Sequence, residues 1–157
     1  MKARTCLGAA AFVGGLAAAG PLMAAEDCAG KPGQHRLTVQ VKGVRAAKGE
    51  VAVTLYPDDS KRFLAPRGKL LRLRVKARTP VTETCFWLPQ PGVYAIAVYH
   101  DANADQDFNR TAVGMPAEGF GFSNDAPATF GLPAFSSVRF STKAGENAVA
   151  IQMRYLR

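Results

Sequence analysis

The sequence predicts an all-β domain, a single antiparallel β-sandwich of about seven strands with one long ordered loop. Three observations predict it. Apolar and polar residues alternate with a period of two through much of the chain, the pattern of strands with one buried face. Gly and Pro interrupt these runs at short intervals, and no segment carries a capped apolar stripe of helical period. Of the 157 residues, about 130 follow an N-terminal export segment, enough for one domain with a core of its own.

Residues 1–25 read as a secretory signal peptide, with Lys2 and Arg4 as the positive start, an uncharged Ala/Gly/Leu/Val run, and small residues before cleavage after Ala25. The run is shorter than the ~20 residues of a bilayer span, so no transmembrane segment is expected in the mature chain. The mature protein is expected to be periplasmic or secreted. A tail over 26–36 precedes the β-sandwich domain, 37–157. Cys6 leaves with the signal, and the remaining pair, Cys28 and Cys85, is expected to form a disulfide in an oxidising compartment, contributing roughly 2–4 kcal/mol.

The strands follow in order. Leu37, Val39 and Val41 alternate with Thr38, Gln40 and Lys42, and after a turn at Lys48-Gly49 so do Val51, Val53 and Leu55 with Ala52, Thr54 and Tyr56. The connection from Pro57 to Lys69 has room for one helical turn. Leu71, Leu73 and Val75 alternate with Arg72, Arg74 and Lys76, and a further strand runs from Val81 to Leu88. Val93 to Tyr99 is apolar on both faces, as a central strand covered on each side would be. The last two are expected at Ser136 to Ser141 and Ala148 to Leu156. Between them and the central strand, Asp101 to Pro133 has no strand pattern and reads as a long loop, ordered by Phe108, Phe120, Phe122 and Phe130.

That loop opens with oxygen-bearing side chains at every second position: Asp101, Asn103, Asp105, Asp107 and Asn109. A hard cation such as Ca²⁺ takes six to eight oxygens, and this spacing supplies them, with Glu118 able to close the shell. An EF-hand is excluded, because Gln106 stands where its turn glycine belongs and Ala112 where its last ligand belongs. The same residues also suit Asx turns in a solvent-facing loop, so calcium site and turn are both open readings.

Three stretches resemble a known family: LPQPGVYAIAVYHDAN over 88–103, GMPAEGFGFSND over 114–125, and FGLPAF over 130–135. They are similar to the bacterial family DUF2141. The resemblance implies an envelope β-sandwich of the transthyretin-like (prealbumin-like) or carboxypeptidase-regulatory kind and carries no assigned activity. Where members have Asn-Gly after the second Asx, this chain has Asp105-Gln106.

Two function classes compete. The first is a non-catalytic envelope binding or accessory module with no catalytic residues. Net charge is +8 on the full chain, and from Lys61 to Arg78 there are eight cations without an acidic residue. Arg72, Arg74 and Lys76 share one sheet face, suited to an anionic envelope surface or polymer rather than to a specific nucleic acid; positive charge also protects an edge strand from pairing. The second is a hydrolase built from His100, Asp101 and Ser123, although no nucleophile elbow surrounds the serine. A purely structural envelope role is a third. No phosphate-binding glycine loop or zinc-ligand cluster is present in the sequence, so apart from possible-ligand oxygens for Ca²⁺ no cofactor is expected.

Overall fold

A computed structural model of the protein describes residues 28–128 and 131–156; the expected signal peptide and Phe130 lie outside the described residues. The chain is all-β. In order it forms β1 (His35–Lys42), β2 (Glu50–Pro57), β3 (Leu71–Lys76), β4 (Val81–Leu88), β5 (Val93–Asp101), β6 (Gly119–Phe122), a 3-10 turn over Ser123–Asp125, the single-turn α1 (Phe135–Val138), β7 (Phe140–Ser141) and β8 (Glu146–Gln152). One sheet has the order β4-β1-β8. The other, of five strands, runs β3-β2-β5-β6, with β7 pairing the start of β5.

Period two decides which side chains meet. Leu37, Val39 and Val41 of β1, with Phe86 and Leu88 of β4 and Ile151 of β8, share one buried cluster with residues of the other sheet. Those are Val51, Val53 and Leu55 of β2 and Tyr94, Ile96 and Val98 of β5. Leu71, Leu73 and Val75 of β3 pack against the same cluster. Each large side chain buried in this way stabilises the fold by roughly 1.5–3 kcal/mol.

Cys28 and Cys85 are joined, as expected, with their Cα atoms 4.6 Å apart. Cys85 is on the outward parity of β4, where the tail lies over it. The Ala29 amide donates to the Cys85 carbonyl at 3.0 Å, and the Trp87 amide to the Ala29 carbonyl at 2.8 Å.

Four expectations need correction. The sheets are not purely antiparallel: β8 runs parallel to β1, from Arg36 opposite Glu146 to Lys42 opposite Gln152. Alternation fixes which face is buried but says nothing of strand direction, and β8 reaches β1 only after the chain has crossed the whole second sheet. The stretch expected to be loop contains β6, because Phe120 and Phe122 bury on one face while Gly121 leaves room on the other. A Cβ there would stand 2.7 Å from the Gln152 carbonyl oxygen. Half of the strand expected over 136–141 is in α1, with two strand residues after Arg139. Finally, the last strand ends at Gln152. Beyond it Arg154 pairs with Phe120, carrying the chain from one sheet to the edge of the other.

Candidate functional site

The outward parity of β2, β5 and β6 is largely apolar too. Tyr56 on β2, Ala95 on β5, and Phe120 and Phe122 on β6 form a second buried cluster with Ala126 and Val138. Phe63, Leu64, Ala97, Tyr99 and Phe108 pack against it. This cluster covers only part of the face. The rest is a groove of about 830 Å³, floored by Thr54 and Ala97 and walled by Tyr99, Phe108, Phe120 and Phe122. A smaller cavity of about 320 Å³ adjoins it under Leu64 to Arg67 and shares Tyr56, Leu64 and Arg72. At the mouth stand apolar side chains that a folded chain normally hides: Met115, Leu132 and Leu156 are 50%, 68% and 43% exposed. Among the described residues, the charged ones lining it are Arg72, Arg110 and Arg154, and no carboxylate lines it.

The acidic loop shapes one wall. Asp101 ends β5 fully buried. Its Oδ1 accepts the Asp105 amide at 3.1 Å, and its Oδ2 accepts the Gln106 amide at 2.8 Å and the Arg74 guanidinium at 3.0 Å. The other arm of Arg74 donates to the Tyr99 hydroxyl at 2.5 Å and the Gln106 carbonyl at 2.6 Å. Gln106, at the position where glycine would ease the turn, takes a φ of 69°; those contacts to its own amide and carbonyl hold it there. Asp105 accepts the Asp107 amide on Oδ1, and the Asn103 and Asn109 side-chain amides on Oδ2, at 2.7–3.0 Å. These donors pull its carboxyl below the usual range.

Glu118 accepts the Asn109 amide at 3.1 Å. Its carboxyl is pushed up, first by burial and then by the charges of Asp101 and Asp105, against the lowering effect of that amide. The loop therefore meets most of its oxygens with its own donors, and the counter-charge on Asp101 is a guanidinium. The Asp107 carboxylate is exposed. Among the described residues no group of three His, Cys, Asp or Glu stands together as an ion site. A calcium ion at Asp101 would compete with Arg74 for the same oxygens.

What the loop does place is an aromatic ring. Phe108 stands edge-on to Tyr99 at 5.5 Å and to Phe120 at 6.2 Å, and the Arg110 guanidinium lies 5.3 Å above it. Past Arg110 the chain turns back in a small hairpin, with Arg110 opposite Pro116.

The three cations expected to act together do share the outer face of β3, but their roles differ. Arg74 turns in on Asp101, Arg72 donates to the Thr54 hydroxyl at 2.8 Å and lines the groove, and Lys76 is exposed. Nor do His100, Asp101 and Ser123 bond to one another. The His100 ring lies 2.7 Å from the Tyr155 hydroxyl and 2.8 Å from the Lys48 carbonyl, which occupies both nitrogens. The Ser123 hydroxyl accepts the Ile96 amide at 2.9 Å and donates to the Val138 carbonyl. Ile96 and His100 are four strand residues apart, about 13 Å.

Arg110 and Arg154 were not distinguished by sequence reasoning, nor was the groove itself. A signal was available: Ala52, Thr54 and Tyr56 on β2 are scarcely more polar than Val51, Val53 and Leu55. A strand apolar on both faces needs cover on both.

A family model described as an uncharacterized protein conserved in bacteria, DUF2141, matches residues 39–150. The chain belongs to that family. No curated protein and no solved structure matches it. The DUF2141 match spans the chain from β1 into β8, and so includes the acidic loop, Arg72 and Arg110. It stops short of Arg154 and Leu156, which close the groove on the β6 side.

Proposed function

We propose that this DUF2141 protein is an exported, non-catalytic binding module with a transthyretin-like β-sandwich, taking its ligand on the outer face of the five-stranded sheet. The observation that carries this reading is the groove. Its volume falls in the ~300–1,000 Å³ range of small-molecule sites, its walls are aromatic, and a few oriented polar groups stand among apolar ones. The two sheets with a common core support the sandwich. The N-terminal charge and apolar pattern support export, and with it a place in the bacterial envelope.

The test is binding of Nile red, a neutral solvatochromic dye, to the mature protein. Blue-shifted, saturable emission is expected. Ala97→Phe, which places a ring on the groove floor, is expected to weaken it at least tenfold while the melting temperature holds. Equal binding by the Ala97→Phe protein would overturn the assignment of the site.

A further inference from the structure

Resting on that reading, we infer that the groove takes an amphipathic anion: one apolar body bearing one carboxylate-like head, held as a free molecule rather than as part of a bilayer. Charge and apolar surface coincide in the groove. Arg72, Arg110 and Arg154 line it, and none is within ion-pair distance of a carboxylate among the described residues.

Each guanidinium is also aimed. Arg72 is fixed by the Thr54 hydroxyl at 2.8 Å, Arg110 by the Gly114 carbonyl at 2.9 Å, and Arg154 by the Asp125 carbonyl at 2.7 Å. Each of these bonds uses one N–H and leaves the positive charge unneutralised. A guanidinium has five donors and matches a carboxylate in a fork. Three such groups around an apolar groove favour a ligand with a negative end.

The sheet places them on different sides. Arg72 is on β3 at one edge, and Arg154 pairs beside β6 at the other. Arg110 comes over from the loop that carries Phe108. Between them the surface is aromatic, so the apolar body lies on Tyr99, Phe108 and Phe120 while the head is met at the rim. The exposed Met115, Leu132 and Leu156 then gain cover from the ligand itself.

The experiment compares dodecanoate with dodecanol as competitors for Nile red on the wild-type protein. Dodecanoate is expected to compete about tenfold better, the effect of a charge-assisted hydrogen bond at a partly exposed rim. Lengthening the chain from ten to twelve carbons should strengthen it two- to fourfold per methylene. Combining Arg72→Gln, Arg110→Gln and Arg154→Gln should erase the preference for the acid, read by calorimetry as the ratio of dodecanoate to dodecanol affinity on that variant. Equal competition by acid and alcohol overturns the inference and leaves the groove as a neutral binding site. Failure of both competitors, with no saturable Nile red signal, overturns the binding reading as well. Co-sedimentation with phosphatidylglycerol vesicles, with no competition by monomeric dodecanoate, also overturns it, in favour of docking on a membrane.

Discussion

Replacing Arg74 by Met tests whether the acidic loop is held by a residue of the chain itself. The Asp101 side chain is wholly buried, and the guanidinium beside it is 17% exposed, so solvent screens the pair poorly. At 3.0 Å and an effective dielectric near 20, the attraction is about 5 kcal/mol before desolvation is counted. Removing one partner of such a pair typically costs about 3–5 kcal/mol, because a charge is left buried alone. Two backbone amides remain on Asp101, which puts the expected loss at the lower end, about 3 kcal/mol. For a domain of this size that is a fall in melting temperature of about 10–15 °C. Met keeps much of the stem's volume, so the loss reports charge and hydrogen bonds rather than a cavity. Lys76→Met, on the same strand and face but exposed, should change stability by less than about 1 kcal/mol. Combining Arg74→Met with Asp101→Asn should cost less than the two single changes added together, by about 1–3 kcal/mol. Thermal melts of the wild type, the three single variants and the double variant decide it. An Arg74→Met protein no less stable than Lys76→Met would refute the reasoning. So would a wild-type melting temperature that climbs with millimolar calcium, since an ion would then be holding the carboxylates.

Two further outcomes follow from the geometry. Cys28 and Cys85 close a loop with a sequence separation of 57, for which the chain-entropy estimate is about 4 kcal/mol. Cys28→Ser with Cys85→Ser, or reduction of the native bond, should therefore lower the urea midpoint, and an unchanged midpoint would show that the tail adds nothing. Glu118 has a carboxyl raised in the folded state, so its contribution is most favourable below its unfolded pKa and is lost as pH rises through the folded one. Glu118→Gln keeps an acceptor for the Asn109 amide and abolishes that loss. Its melting temperature should gain on wild type as pH rises above the ordinary glutamate pKa of about 4.3, and a gap that does not change with pH would contradict the assignment.

The strands that were legible in the sequence share one property. The core-facing parity of β1, β2, β3 and β5 is apolar; it alternates with a more polar one in β1 and β3, and with residues of the second cluster in β2 and β5. Gly119–Phe122 escaped because two of its four residues are glycines, which carry no alternation signal. Their value appears only when Tyr155 and Gln152, more than 30 residues later, are seen pressing against them. The candidate site was legible in part. The period-two rule put Arg74 on the outer face with Arg72 and Lys76, which is where it is. The rule could not say that the loop after β5 folds back over that face and encloses the guanidinium. For the same reason the oxygen-rich positions stood out while their partners did not. The donors that meet them are backbone amides and one arginine from another strand.

The parallel pairing of β1 with β8 has a consequence for how the protein comes to be made. Arg36 and Glu146 are opposite one another although 110 positions separate them. At a synthesis rate of ~5–20 residues per second, β1 waits roughly 5–20 s for the strand that completes its sheet. Contacts of such long range also slow folding once the chain is whole. If the chain is exported as proposed, that delay favours passage through a translocon before folding.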